Sequence, residues 1–117
     1  MIDQLQLPLE KRKPNVAADP KDIELLCEWL IGRGWVRAVA IEAFFPLWKA
    51  NDHRYIRAIA SQSAGRILSF PGSPGYRIAL EASIDELWHA RNVFDRAGIE
   101  AAARKKEIDA VIHRRKP

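Results

Sequence analysis

The residue types that hold metals or act as nucleophiles are few in this chain, and their spacing suits neither chemistry. One cysteine, Cys27, and three histidines, His53, His89 and His113, are present. Their separations match none of the short ligand spacings of zinc sites. Asp85 stands four residues before His89, which is the spacing of a surface pair on a helix. No nucleophile–base pattern is present, so we predict no metal, no cofactor and no enzymatic activity.

The segment PGSPG at residues 71–75 predicts a turn and not a phosphate-binding loop. Phosphate-binding loops of nucleotide hydrolases end in Lys-Ser or Lys-Thr, and no such pair follows these glycines. The acidic pairs Glu24/Glu28 and Asp85/Glu86 are typical of solvated helix faces or helix caps. Neither feature predicts nucleotide binding or acid–base catalysis.

Arginines on one predicted helix are the more informative polar residues. In the segment RYIRAIASQS, residues 54–63, Ile56, Ile59, Ala60 and Ser63 share one side at 100° per residue. Its polar side is formed by Arg54, Arg57, Ala58, Ser61 and Gln62. The small residues Ala58 and Ser61 would let another backbone come close. Arginine can pair with the two acceptors of guanine or with a phosphate, and this pattern is compatible with both contacts.

The bulk composition allows one domain with an anionic partner. The chain has 117 residues, 48% of them hydrophobic, and a net charge of +4. Residues 1–50 hold seven basic and seven acidic residues, so the positive excess lies from residue 51 onward. A single cysteine indicates a reducing, cytoplasmic setting. The N-terminus is not typical of a signal peptide, and no apolar run is long enough to span a membrane.

Four helices are predicted, beginning after an N-terminal arm at residues 1–18 that carries the basic run at residues 11–13. Asp19 and Pro20 predict the start of the first helix, whose apolar stripe contains Ile23, Leu26, Cys27, Leu30 and Ile31. A short extended piece at residues 35–36 precedes a second helix over residues 37–44. The third helix is expected from residue 51 or 52 to residue 62. The last begins at the capping box of residues 83–86, and we expect a kink or a break at Gly98.

Two short strands are expected between the third and last helices, at residues 66–70 and 76–80. Pro74 and Gly75 fit the central positions of a type II turn between them. On the second strand Tyr76, Ile78 and Leu80 should face one way, with residues 77, 79 and 81 facing the other.

The order helix, extended piece, helix, helix, hairpin resembles the winged-helix family over residues 19–82. The resemblance rests on GRGWV at residues 32–36, RYIRAIASQS at residues 54–63 and GRILSFPGSPGYRIA at residues 65–79. The last two segments look like those of small phage proteins and bacterial regulators of this family. The resemblance implies a mostly helical α+β fold, with three helices, a β-hairpin wing and a helical extension over residues 83–117.

The resemblance also implies a non-enzymatic protein that binds double-stranded DNA, in transcriptional regulation or a phage-type DNA transaction. The third helix would enter the major groove and the wing would contact the backbone. The residues that would contact DNA are Arg54, Arg57, Ala58, Ser61, Gln62, Arg66 and Arg77, and residues 72–75 would approach phosphates. Two features depart from the family. Arg37 stands where a Ser or Thr commonly caps the second helix, and no Lys or Arg lies between Phe70 and Gly75.

The alternative is a winged-helix module that binds protein and not DNA. Leu25 and Trp29 lie off the main stripe of the first helix, so either the C-terminal helix or a second copy of the chain should cover them. A homodimer would use these two residues or the C-terminal helix. Convergence of Arg54, Arg57, Arg66 and Arg77 on one exposed face would favour DNA. Acidic residues interrupting that face, or an element covering it, would favour protein.

Overall fold

The computed structural model describes residues 16–97 and 102–115. In chain order the helices and strands of these residues are α1 (Pro20–Leu30), α2 (Ala38–Phe44), α3 (Arg54–Ser61), β1 (Ile67–Leu68), β2 (Arg77–Ile78), α4 (Ile84–Ala97) and α5 (Ala102–Arg115). Short 3-10 turns lie at Pro46–Trp48, Asn51–His53 and Ala79–Glu81. The architecture is mostly helical with one two-stranded antiparallel sheet, as the sequence predicts for the α+β class.

Helix α1 begins where its capping residues predict. The Asp19 side chain accepts a hydrogen bond from the Lys21 backbone N–H at 2.9 Å. Leu26, Cys27 and Leu30 are buried, whereas Ile31 is exposed. The backbone leaves the helical conformation at Ile31, where ψ is 126°. The prediction that Ile31 continues the buried stripe is therefore wrong.

The sheet is shorter than predicted but has a third contributor. Ile67 pairs with Ile78 and Leu68 with Arg77, and Val36 forms an isolated antiparallel bridge with Tyr76. The two backbone hydrogen bonds of that bridge measure 2.9 and 2.8 Å. The extended piece predicted around residue 36 is thus the outer edge of the hairpin.

The tight turn of the hairpin lies at Pro71-Gly72 and not at Pro74-Gly75 as predicted. The Ser73 N–H donates to the Phe70 carbonyl at 2.8 Å, and Gly72 has a φ of +87°. Gly75 serves another purpose, because a Cβ there would lie 2.3 Å from the Val36 carbonyl oxygen. The glycine lets the hairpin approach the Val36 backbone closely.

The alternating pattern predicted for the second strand fails after Ile78. The strand ends there, and a 3-10 turn over Ala79–Glu81 reverses the exposure of the next two residues. Ala79 is buried and Leu80 is exposed.

Two hydrophobic clusters meet at the sheet. The first joins α1, α2 and α3 and contains Leu26, Ile41, Ile56 and Ile59. The second joins α4 and α5, with Leu87, Phe94, Ile108, Val111 and Ile112 among its members. Successive strand residues face opposite sides, so Ile67 belongs to the first cluster and Leu68 to the second.

The capping box of the last helical region is confirmed. The Ser83 N–H donates to Glu86 Oε1 at 2.9 Å, and the Glu86 N–H donates to Ser83 Oγ at 3.0 Å. Leu87 and Phe94 are buried, whereas Trp88 is exposed. The break predicted at Gly98 lies outside the described residues.

The predicted arm also lies largely outside the described residues, including its basic run at residues 11–13. Its last residues belong to the fold, since Ala18 is buried and its N–H donates to Gln62 Oε1 at 2.9 Å. Among the described residues, no helix combines the length and the apolar character needed to cross a membrane.

Candidate nucleic-acid interface

Helix α3 is amphipathic, as its sequence pattern predicts. Ile56, Ile59 and Ala60 are buried against the first cluster. On the other side Arg54, Arg57 and Ser61 are exposed and Ala58 is half-buried. These four lie at spacings of three, four and seven residues and so form one stripe along the helix.

A strained turn precedes α3 and fixes where the helix begins. Asp52 and His53 both have positive φ, at 58° and 55°. The His53 Nδ1 lies 2.9 Å from Oε1 of Glu42, a buried carboxylate on α2. The helix expected from residue 51 or 52 therefore begins at Arg54, because this contact holds the preceding residues in another conformation. Asp52 faces α3, and its carboxylate pairs with Arg57 at 3.0 Å.

A cleft of about 470 Å³ separates α3 from the hairpin loop. Arg57 and Ser61 line it from α3, and Tyr76 lines it from the hairpin. The remaining polar lining includes Ser69 and Ser73. The Ser73 hydroxyl is already used, since it accepts from the Phe70 N–H at 3.2 Å and donates to the Gly75 carbonyl at 3.0 Å.

Arg104 of α5 completes the cleft, and sequence reasoning missed it. Its Nη2 donates to the Ser69 carbonyl at 3.3 Å, and its guanidinium lies 5.0 Å from the centre of the Phe94 ring. Burial lowers the pKa of Arg104, with Glu107 acting in the opposite direction. A guanidinium nevertheless remains protonated in proteins. No pattern in the sequence indicates this placement, because Arg104 begins a basic run whose other members are Lys105 and Lys106.

Tyr76 is another residue that the sequence pattern did not assign to the site. Burial raises the pKa of its hydroxyl, and the charges of Arg57 and Arg104 oppose that change. The hydroxyl is therefore a neutral hydrogen-bond donor near neutral pH, beside two cations.

Three further basic residues lie around α3. Lys49 and Arg54 line one shallow depression together, and Arg37 lines another with His53 and the hairpin loop. With the two arginines of the cleft they form what we call the basic surface: Arg37, Lys49, Arg54, Arg57 and Arg104. Three carboxylates lie beside it: Asp52 pairs with Arg57, Glu107 lies 3.5 Å from Arg104, and Asp22 lines the depression that holds Lys49 and Arg54. Exposed pairs such as Arg57–Asp52 contribute only about 0–1 kcal/mol.

Two of the predicted arginines are held elsewhere. Arg66 pairs with Glu24 of α1 through both carboxylate oxygens. The Arg77 side chain is 16% exposed and lies 3.2 Å from a Glu86 oxygen. Arg104 is similarly buried, at 18% exposure, and lies 3.5 Å from Glu107, but it lines the cleft and Arg77 does not. Of the four predicted arginines, only Arg54 and Arg57 lie on the basic surface, and Arg57 pairs with Asp52. The convergence of all four on one face, which would favour DNA, therefore does not occur.

Gln62 has an internal role. Its Oε1 accepts from the Ala18 N–H, and its Nε2 donates to the Val16 carbonyl at 2.8 Å. Both ends of the amide thus bind the segment before α1. Base recognition by Gln62 would require breaking these contacts.

The described residues contain no group of three or more His, Cys, Asp or Glu side chains that could hold a metal ion. No protein-family model, curated protein or solved structure matches this chain.

Proposed function

We propose that the protein binds double-stranded DNA in the manner of a winged-helix protein, with α3 in the major groove. The order of elements supports this assignment: α1, an extended Val36, α2, α3 and a hairpin to which Val36 adds an edge. The proposed role is transcriptional regulation or a phage-type DNA transaction, without catalysis.

The observation that carries the proposal is the basic surface around α3. Its five cations come from α3, from the segments flanking α2 and from α5. Arg57 and Arg104 belong to different elements and line the same cleft. A phosphate in this cleft would meet two guanidinium groups and the Tyr76 hydroxyl, which are the donors that phosphate contacts use.

The hairpin would contact the DNA backbone but would add little positive charge to the interface. Its loop carries no Lys or Arg, and Arg66 and Arg77 are engaged by carboxylates. Phosphate contacts at the hairpin would therefore come from loop backbone N–H groups, with Arg57 and Arg104 at its side. This assignment differs from the family pattern of wing arginines on the DNA backbone.

The test is fluorescence anisotropy with a labelled mixed-sequence duplex pool at low salt. We expect binding by the unmodified protein. Arg57→Ala should weaken it by roughly 1–3 kcal/mol if the side chain reads a base, and less if it contacts only phosphate. Arg66→Ala is the matched control, because it removes an equal charge outside the basic surface. Equal losses in both variants, or no binding at low salt, would contradict the proposal.

A second candidate function, protein binding, is favoured by the outward side of α2. Val39 is 64% exposed, Phe44 60% and, just beyond the helix, Leu47 96%. The one charged residue of α2, Glu42, is buried. Exposed apolar patches of this kind mark interaction surfaces.

The sequence also predicts that another element covers Leu25 and Trp29 of α1, and an uncovered pair would add to a protein-binding surface. Trp29 packs on Phe44 and Phe45, with ring centres 5.2 and 5.7 Å apart, and Leu25 stays half exposed. The prediction that the C-terminal helix covers Trp29 is therefore wrong, because residues at the end of α2 do so. Sedimentation equilibrium of the protein and of Leu47→Gln tests this candidate for self-association. A monomer–dimer equilibrium that the substitution weakens would support it, and a monomer at all concentrations would exclude a homodimer through this patch.

A further inference from the structure

A second cavity, of about 510 Å³, lies on the side of the fold that Arg66 faces. It opens between α1, the turn after α3, the hairpin and α5. Its walls are mostly apolar and include Cys27, Ile31, Ala64, Ile78, Leu80 and Val111. Ile31 and Leu80 are among the exposed large hydrophobic residues of the described chain, so part of the wall is apolar surface in contact with solvent.

The charges at the rim of this cavity are not balanced. Arg66 is paired with Glu24, and Glu107 lies 3.5 Å from Arg104. That leaves Lys106, Arg114 and Glu28 at the rim. None of these three forms an ion pair with another residue in the ranges 16–97 and 102–115. The rim therefore has a net positive charge.

We propose that this cavity binds a small molecule with an apolar body and one carboxylate. Its volume lies within the range of small-ligand sites, about 300–1,000 Å³. Apolar walls with a few charged groups are also typical of such sites. The apolar body would cover the exposed parts of Ile31 and Leu80. The carboxylate would pair with Lys106 or Arg114, which lie eight residues apart on α5, about 12 Å along the helix.

The cavity and the cleft share no lining residue, so this inference does not depend on DNA binding. The two sites meet on α5, where Arg104 lines the cleft and its ion-pair partner Glu107 lines the cavity. The other residues of α5 that line the cavity are Lys106, Ala110, Val111 and Arg114.

Cys27 lines the cavity and is the only cysteine in the chain, so the site of alkylation is unambiguous. It is buried, and burial raises the pKa of its thiol, so the reaction is slow and is followed at about pH 8.5 over hours. The rate of its alkylation by iodoacetamide should fall when octanoate is added and should fall less with hexanoate. Each methylene buried should tighten binding about fourfold. Octyltrimethylammonium, with a chain of equal length and the opposite charge, should protect Cys27 much less. Calorimetric titration with octanoate gives the stoichiometry, expected to be one.

Two substitutions on α5 test the location. Ala110 lines the cavity and Ala103 does not, and both are exposed. Ala110→Phe should abolish protection of Cys27 by octanoate, whereas Ala103→Phe should leave it unchanged. Circular dichroism of both variants checks that the fold is retained.

The charge requirement is tested with Lys106→Gln/Arg114→Gln. It should weaken octanoate binding by about fivefold, which corresponds to the upper end of the range for exposed ion pairs. In this double variant octanoate and octyltrimethylammonium should differ less in how strongly they protect Cys27 from alkylation. Equal protection by both amphiphiles in the unmodified protein would overturn the proposed class of ligand. No protection at millimolar octanoate, or equal protection in Ala110→Phe and Ala103→Phe, would overturn the site.

Discussion

Replacing Arg77 with alanine separates a structural role of this side chain from a role in DNA contact. Arg77 Nη1 lies 3.2 Å from Glu86 Oε1, and Nη2 donates to the Glu81 carbonyl at 3.0 Å. The guanidinium also lies 5.5 Å from the centre of the Trp35 ring. These interactions join β2 to the start of α4, so removing them should lower stability.

The size of the effect follows from the interactions that the substitution removes. Hydrogen bonds to charged groups contribute about 1.5–3 kcal/mol, and a cation–π interaction adds about 0.5–1 kcal/mol. Glu86 keeps its hydrogen bonds with Ser83 and Trp35, so it is not left unpaired. We expect Arg77→Ala to lower the free energy of unfolding by about 2–3 kcal/mol. The midpoint of thermal unfolding should fall by roughly 8–12 °C, at about 4 °C per kcal/mol.

The assay is thermal and urea unfolding followed by circular dichroism, with Arg54→Ala as the matched control. Arg54 is exposed on the basic surface, so its replacement should change stability by no more than about 0.5 kcal/mol. DNA affinity measured well below both midpoints should fall for Arg54→Ala and stay within about twofold for Arg77→Ala. An Arg77→Ala protein that unfolds within about 2 °C of the unmodified protein, equivalent to roughly 0.5 kcal/mol, and binds DNA more weakly would refute this assignment.

Two further predictions concern the hairpin and the start of α4. Gly75→Ala should destabilise the fold by roughly 2–4 kcal/mol, because the added Cβ would overlap the Val36 carbonyl at a position with positive φ. Gly72→Ala also has positive φ, but its Cβ would lie in open space, so it should cost only about 1–2 kcal/mol. Urea unfolding of both variants checks this, and equal destabilisation would contradict it. The Ser83 N–H, the Trp35 indole and Arg77 lower the pKa of Glu86, so its ionised form stabilises the fold above its ordinary pKa of 4.5, and this is lost as the pH falls through the lowered value. Glu86→Gln should therefore be less stable at pH 7, with a gap from the unmodified protein that narrows below pH 4.5; a gap constant over the acid range would count against this role.

Local signals predicted the helices well. Asp19, the capping box at Ser83 and Glu86 and the apolar spacing of α3 each depend on neighbours in sequence, and each is found as predicted. The predictions are wrong where contacts between residues distant in sequence determine the local structure. Glu42 contacts His53 just before α3, which begins later than predicted, and Gly75 lies against the Val36 backbone while the tight turn lies at Pro71-Gly72.

The candidate site was predicted only in part for the same reason. The stripe of Arg54, Arg57, Ala58 and Ser61 follows from helical periodicity. Arg66 pairs with Glu24, which is far from it in the sequence, and Arg77 pairs with Glu86. Neither pair has a spacing that a helical or strand repeat would predict. Arg104 enters the cleft through the packing of α5, which no spacing in the sequence indicates.

The salt dependence of duplex binding tests the central proposal most directly. If the five cations of the basic surface neutralise three to five phosphates, the logarithm of the association constant should fall against the logarithm of salt concentration with a slope of roughly −3 to −4.5. Arg57→Ala and Arg104→Gln should each reduce the slope by about one unit, and Arg66→Ala should leave it unchanged. Absence of duplex binding at low salt, or a slope near zero, would contradict a DNA-binding function for this surface.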